Sequence, residues 1–135
     1  MDRLVPLRLD HQAKPHSERF KVAWTPRLLL LDSTGDTHQD DLGFFFPQEL
    51  IPFLDLGQAK YLFNSNHLEE AADLLDRLVQ ESPACGSAPE AVFLRGVARF
   101  KKDHDAAHLK VVTRMLSFDY PLSQWANRGF PYWNL

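Results

Sequence analysis

The hydrophobic period of this chain changes near residue 47, and that switch limits it to a mixed architecture in which strands and helices are segregated. Downstream of Pro47, Leu50, Phe53, Leu54, Gly57, Tyr61 and Leu62 fall largely on one helical stripe. Asn64-Ser65-Asn66 ends that helix, because short polar side chains bond to local backbone and favour turns. Leu68, Ala71, Ala72, Leu75, Leu78 and Val79 line a second helix that stops at Ser82-Pro83. Ser87-Ala88-Pro89-Glu90 has the form of a capping box with proline just inside, opening a third helix through Phe100. Asp103 or Asp105 can cap a fourth, which carries Leu109, Val112, Met115 and Leu116, and Pro121 to Ala126 start a short fifth.

Upstream of residue 47 the signals are strands and turns. Leu4-Val5-Pro6-Leu7-Arg8-Leu9-Asp10 alternates and predicts a short strand, with Pro6 confining it to an edge. Pro15 to Phe20 predict a brief helix with proline in its first turn. Leu28 to Leu31 form an apolar run too short for an independent helix, bounded by Pro26 and by Asp32-Ser33-Thr34-Gly35-Asp36. That bracketing predicts a buried strand and a tight hairpin, with Thr37 to Phe44 as the returning strand.

Composition removes several function classes. With 15 Lys and Arg against 18 Asp and Glu in 135 residues, the net charge of −3 offers no basic face for phosphate, so no nucleic-acid partner is expected. The single cysteine excludes an internal disulfide, a Cys-x-x-Cys pair and a cysteine-rich zinc site. No apolar run reaches the ~20 residues of a membrane span, and the first residues lack a signal-peptide pattern, so no membrane association and a cytoplasmic location are expected.

Few constellations carry chemistry. His104 and His108 stand four apart, as metal ligands on one helix face do, but no third ligand is evident and Asp105 reads more simply as a cap. Asp40-Asp41 and Glu69-Glu70 are adjacent pairs whose members point to different faces, which fits solvated surface better than acid–base work. Gly35, Gly43 and Gly57 are isolated, so no phosphate-cradling loop is formed. No catalytic residue, metal or cofactor is assigned. Phe44-Phe45-Phe46 cannot all face one core, and the aromatic tail with Trp125, Phe130, Tyr132 and Trp133 is too apolar for a free terminus. That tail caps the last helices or inserts into a neighbouring subunit.

The helical half resembles tetratricopeptide-type repeats. Phe53 stands at the bulky aromatic position, Leu56-Gly57 match the W-x2-L-G step, Ala71 and Leu75 the small-x3-large pair, and Pro83 the closing proline. Val92, Gly96, Phe100 and Pro121 recur as a weaker second unit, while Tyr61 sits one residue late. The first half resembles the latter part of a thioredoxin fold. Phe20-Lys21-Val22-Ala23-Trp24-Thr25-Pro26, Leu28 to Leu31, Asp32, Gly35 and Leu42-Gly43-Phe44 follow that family's order. The resemblance implies a cis Thr25–Pro26 bond before the hairpin and a last helix opening at Pro47. A bacterial family in which thioredoxin-like domains run directly into tetratricopeptide-like helices is similar to most of this chain.

The family's first central strand and the helix bearing its Cys-x-x-Cys are absent. Dithiol exchange needs a low-pKa thiolate and a resolving thiol, and Cys85 lies alone in an interhelical loop, so this chain is expected not to be an enzyme. Without the central strand, unpaired backbone groups flank an empty slot. The segment of residues 4–10 can move into it, a second copy can complete the sheet, or a natural upstream segment precedes this sequence.

The expected fold is therefore α+β, derived from α/β. Residues 1–50 form a truncated thioredoxin-like sheet and hairpin, and residues 51–135 form tetratricopeptide-like helical hairpins with an aromatic tail. The expected function is a redox-inactive interaction or scaffold protein, homodimeric, that binds a protein or peptide segment. The resemblance places peptide binding at Trp24, Thr25 and Pro26, and the exposed-edge reasoning places a partner interface at Leu28, Leu30, Phe45, Phe130, Tyr132 and Trp133. The alternative is the C-terminal portion of a thiol-disulfide oxidoreductase whose Cys-x-x-Cys segment lies outside this chain.

Overall fold

The computed structural model describes residues 4–135 and is an α+β molecule in which helix dominates. Its helices are α1 (Lys14–Arg19), α2 (Pro47–Asn64), α3 (Leu68–Glu81), α4 (Ala88–Asp103), α5 (Ala107–Asp119) and α6 (Gln124–Gly129), followed by a 3-10 turn over Phe130–Asn134. Its strands, β1 (Arg27–Leu31) and β2 (Thr37–Leu42), pair antiparallel, with Arg27 opposite Leu42, Leu30 opposite Gln39 and an irregularity between Leu30 and Leu31.

Helices α2 to α5 pack in chain order, each against the next, because the short connections make consecutive helices neighbours. The core runs through this stack, with Leu56, Leu75, Val92, Val112 and Leu116 at most 1% exposed. Small residues set the spacing. A Cβ on Gly96 of α4 would overlap Val112 Cγ2 of α5, and one on Gly57 of α2 would meet Leu30 Cδ2 of β1 at 2.5 Å and Gln39 Cβ of β2 at 2.9 Å. Gly57 thereby lets the hairpin lie directly on α2, so the two halves of the chain share a seam.

Polar side chains stitch the layers. Lys60 Nζ reaches Gln39 Oε1 on β2 and Glu90 Oε1 on α4, each at 2.6 Å. Asp76 of α3 accepts from Arg95 Nη1 at 2.8 Å and also from Arg99. Arg95 is buried, and this pairing satisfies a charge that would otherwise be costly to enclose.

Four local expectations are corrected. The strand over Leu4–Asp10 is not formed. The segment carries no helix or strand, and among the described residues no other strand lies beside β1 to pair with it. Ser87 makes no capping bond at α4, since it has helical backbone angles (φ −80, ψ −16) and the Glu90 carboxylate is taken by Lys60. The last short helix starts at Gln124, three residues after Pro121, where the Ser123 hydroxyl accepts from the Ala126 N–H at 3.1 Å. Finally, His104 and His108 do not share a helix face. His104 terminates α4 in the left-handed region (φ 61), while His108 lies in α5 with Nε2 donating to Asp103 Oδ2 at 2.8 Å. Asp105 accepts from the Ala107 N–H at 2.9 Å in a local turn just before α5, whose N-cap is Ala106.

Candidate functional site: the outer edge of β1

The β1–β2 ladder fixes which backbone groups of β1 are free. Gly43 N–H donates to the Pro26 carbonyl at 2.9 Å, and Asp32 N–H donates to the Asp36 carbonyl at 3.0 Å. Residues along a strand turn their N–H and C=O to opposite sides in alternation. Even-numbered residues from Pro26 to Asp32 therefore face β2, and Arg27, Leu29 and Leu31 point their N–H and C=O outward. Among the described residues no strand or loop backbone bonds to those outward groups. Such a row is a template for another extended segment.

The edge begins at the Trp24-Thr25-Pro26 step. The Thr25–Pro26 bond is cis, and all three residues are exposed, Trp24 at 74%. The Arg27 guanidinium anchors this end by donating to Asp40 Oδ1 at 2.8 Å and to the Lys21 carbonyl at 3.0 Å.

The far end opens into a groove of about 310 Å³ between β1 and α2, lined by Leu30, Leu31, His38, Gln58, Tyr61 and Leu62, with Leu4 of the N-terminal segment also on its wall. His38 ties the hairpin to α2. Its Nε2 donates to Asp32 Oδ2 at 2.8 Å, its Nδ1 accepts from the Asn64 amide at 3.1 Å, and its ring meets Tyr61 edge-on at 5.3 Å. Both ring nitrogens are engaged, so His38 clamps the hairpin to α2. Asp32 also accepts from the Thr34 hydroxyl and from the Thr34 and Asp36 N–H groups. The His38 and Thr34 hydrogen bonds hold its carboxyl well below the usual carboxylate range.

The remaining expected contact residues lie apart from one another. Leu28 is half-buried and Leu30 is buried against Gly57 of α2, so Leu30 belongs to the seam and shows a partner little beyond its share of the groove wall. Phe45 packs on Phe53 with ring centroids 4.8 Å apart, stapling the hairpin to α2, while Phe44 and Phe46 meet edge-on at 5.4 Å and stay exposed. In the tail, Tyr132 and Trp125 lie on Phe93 of α4, at 6.2 Å and 5.2 Å. The buried Thr113 hydroxyl donates to the Gly129 carbonyl at 2.8 Å. The tail thus docks on its own chain, leaving Phe130 and Trp133 largely exposed.

Cys85 is buried in the helical core, and burial pushes its thiol above the ordinary range, the opposite of what a nucleophilic thiolate needs. Among the described residues no cluster of three or more His, Cys, Asp or Glu is placed to hold a metal ion.

The groove residues His38, Gln58, Tyr61 and Leu62 were not assigned from sequence. The available signal is that Tyr61 sits one residue late in the repeat pattern; helical periodicity puts it on the core stripe, whereas it stands 43% exposed. No helix of the described residues is long and apolar enough to cross a membrane. Comparison with protein-family models, with curated proteins and with solved structures finds no match to this chain.

Proposed function

We propose that this protein is a non-catalytic interaction module, and that it binds an extended protein segment by strand addition along the outer edge of β1. The observation that carries this reading is the unpaired row at Arg27, Leu29 and Leu31, which runs from the exposed Pro26 step to the apolar groove. Main-chain bonds would give the incoming segment affinity, and the groove would select an apolar side chain at its far end. The resemblance to thioredoxin-like domains supports this, since in that family the backbone before the equivalent proline holds an extended peptide. The engaged His38 and the buried, isolated Cys85 supply no competing chemistry.

Substitution Leu29→Pro tests the reading with little damage to the hairpin, because the Leu29 N–H points away from β2. Extended peptides selected by display against the wild-type chain are the probe. Their binding, followed by fluorescence anisotropy, should weaken at least tenfold in the variant. Peptides that bind both proteins equally would place recognition elsewhere.

A further inference from the structure

We propose that the segment received by the β1 edge is residues 4–10 of a second copy of this chain, so that two copies complete each other's sheets by exchanging N-terminal arms. The inference rests on the edge reading above and names its partner.

The arm has the chemistry the edge calls for. Val5, Leu7 and Leu9 alternate with Pro6 and Arg8, and in this structure they stand 94%, 77% and 42% exposed. Three apolar side chains in an alternating segment are unusual to leave in water. Among the described residues, no backbone group of residues 4–9 bonds to any other part of the fold. The arm leaves through a fixed turn, in which Ala13 N–H donates to the Asp10 carbonyl at 3.1 Å and Gln12 N–H to Asp10 Oδ1 at 2.9 Å. Only Leu4 touches the wall of its own groove.

The phase of the arm also fits. Pro6 has no N–H, so the even-numbered residues cannot present a full row of donors. Val5, Leu7 and Leu9 can, and they would pair with Arg27, Leu29 and Leu31. Their side chains then meet apolar surface in either strand direction. Antiparallel pairing sets them beside Leu29 and Leu31, on the hairpin face opposite α2, which no helix covers. Parallel pairing sets them over the groove formed by Leu30, Leu62 and Tyr61.

The test uses the full chain, light scattering on a sizing column across a concentration series, and amide hydrogen exchange at Leu29 and Leu31. Wild type should run at twice the chain mass at high concentration and dissociate on dilution. The double substitution Leu7→Asp, Leu9→Asp lies at solvent-facing positions and leaves each fold intact. It should raise the dissociation constant at least tenfold and speed exchange at both amides to a similar degree, and Leu29→Pro should weaken the dimer likewise. A dimer indifferent to the arm substitutions overturns the proposal. So does a monomer at every concentration, including one whose Leu29 and Leu31 amides are protected by its own arm. If that monomer's edge amides become protected by a selected foreign peptide, arm exchange fails and the edge reading stands. If no partner protects them, both fail.

Discussion

Replacing Gly96 by alanine tests the tightest contact in the helical stack. The added Cβ would overlap Val112 Cγ2 and come within 3.3 Å of the His108 carbonyl, a backbone atom that cannot step aside. Val112 is 1% exposed and β-branched, so it has one favoured rotamer in α5 and nowhere to rotate. Overpacking of this kind costs about 1–3 kcal/mol. Alanine recovers about 1 kcal/mol of helix propensity over glycine. The net expectation is a loss of up to about 2 kcal/mol, read as a lower urea midpoint with an unchanged slope. The cycle with Val112→Ala isolates the cause. The double variant should be less destabilised than the sum of the singles, with a coupling of about 1 kcal/mol or more. If Gly96→Ala alone raises stability by about 1 kcal/mol, only propensity is acting, and the close approach of α4 and α5 is refuted.

Two further outcomes follow from the titrating groups. The Asp32 carboxyl is held low by His38 and Thr34, so its stabilisation is present above the ordinary carboxylate pKa and is lost as pH falls below about 4. Asp32→Asn should therefore lower the denaturation midpoint at pH 7 by a deficit that begins to shrink below about pH 4 and keeps shrinking as pH falls further toward the depressed folded-state value, whereas a pH-independent deficit would assign the effect to shape alone. The Cys85 thiol is buried and pushed upward, so its reaction with a disulfide reagent at pH 7.5 should be at least a hundredfold slower in the native chain than in 6 M guanidinium. Native labelling at the unfolded rate would show the loop open.

Much of the chain could be read from its residues because the signals there are local. The shift in period at Pro47 and the turn residues at Asn64–Asn66 and Ser82-Pro83 place α2 and α3 within a residue or two of their observed ends. The bracketing of Leu28–Leu31 by Pro26 and Asp32-x-x-Gly35 likewise gives β1 and its hairpin. The failures share one feature, competition from a distant group. Ser87-x-x-Glu90 has the spacing of a capping box, but Lys60, thirty residues earlier, holds the glutamate. His104 and His108 have ligand spacing, but α4 ends at Asp103 and α5 begins at Ala107, so the two do not lie on one continuous helix. Alternation in Leu4–Asp10 is a strand pattern, and a strand needs a neighbour, which none of the described residues supplies.

The candidate site divides the same way. The position of β1 after the Trp24-Thr25-Pro26 step could be anticipated from residue order, since proline, turn and apolar run set its length, while the unpaired edge was expected from the resemblance to a thioredoxin fold lacking its central strand. The groove could not, because Leu30, Tyr61 and Leu62 come together only when Gly57 lets the hairpin settle on α2. Sequence alone therefore determined helices α2 to α5 and the β1–β2 hairpin, and that this chain carries a single cysteine with no partner thiol, because periodicity, turn residues and cysteine count are read along the chain. Tertiary structure alone decided which apolar residues are core and which are surface. Leu30, Phe45 and Tyr132 turn inward, while Val5, Leu7, Leu31 and Trp24 stay exposed, because burial depends on what packs opposite each side chain.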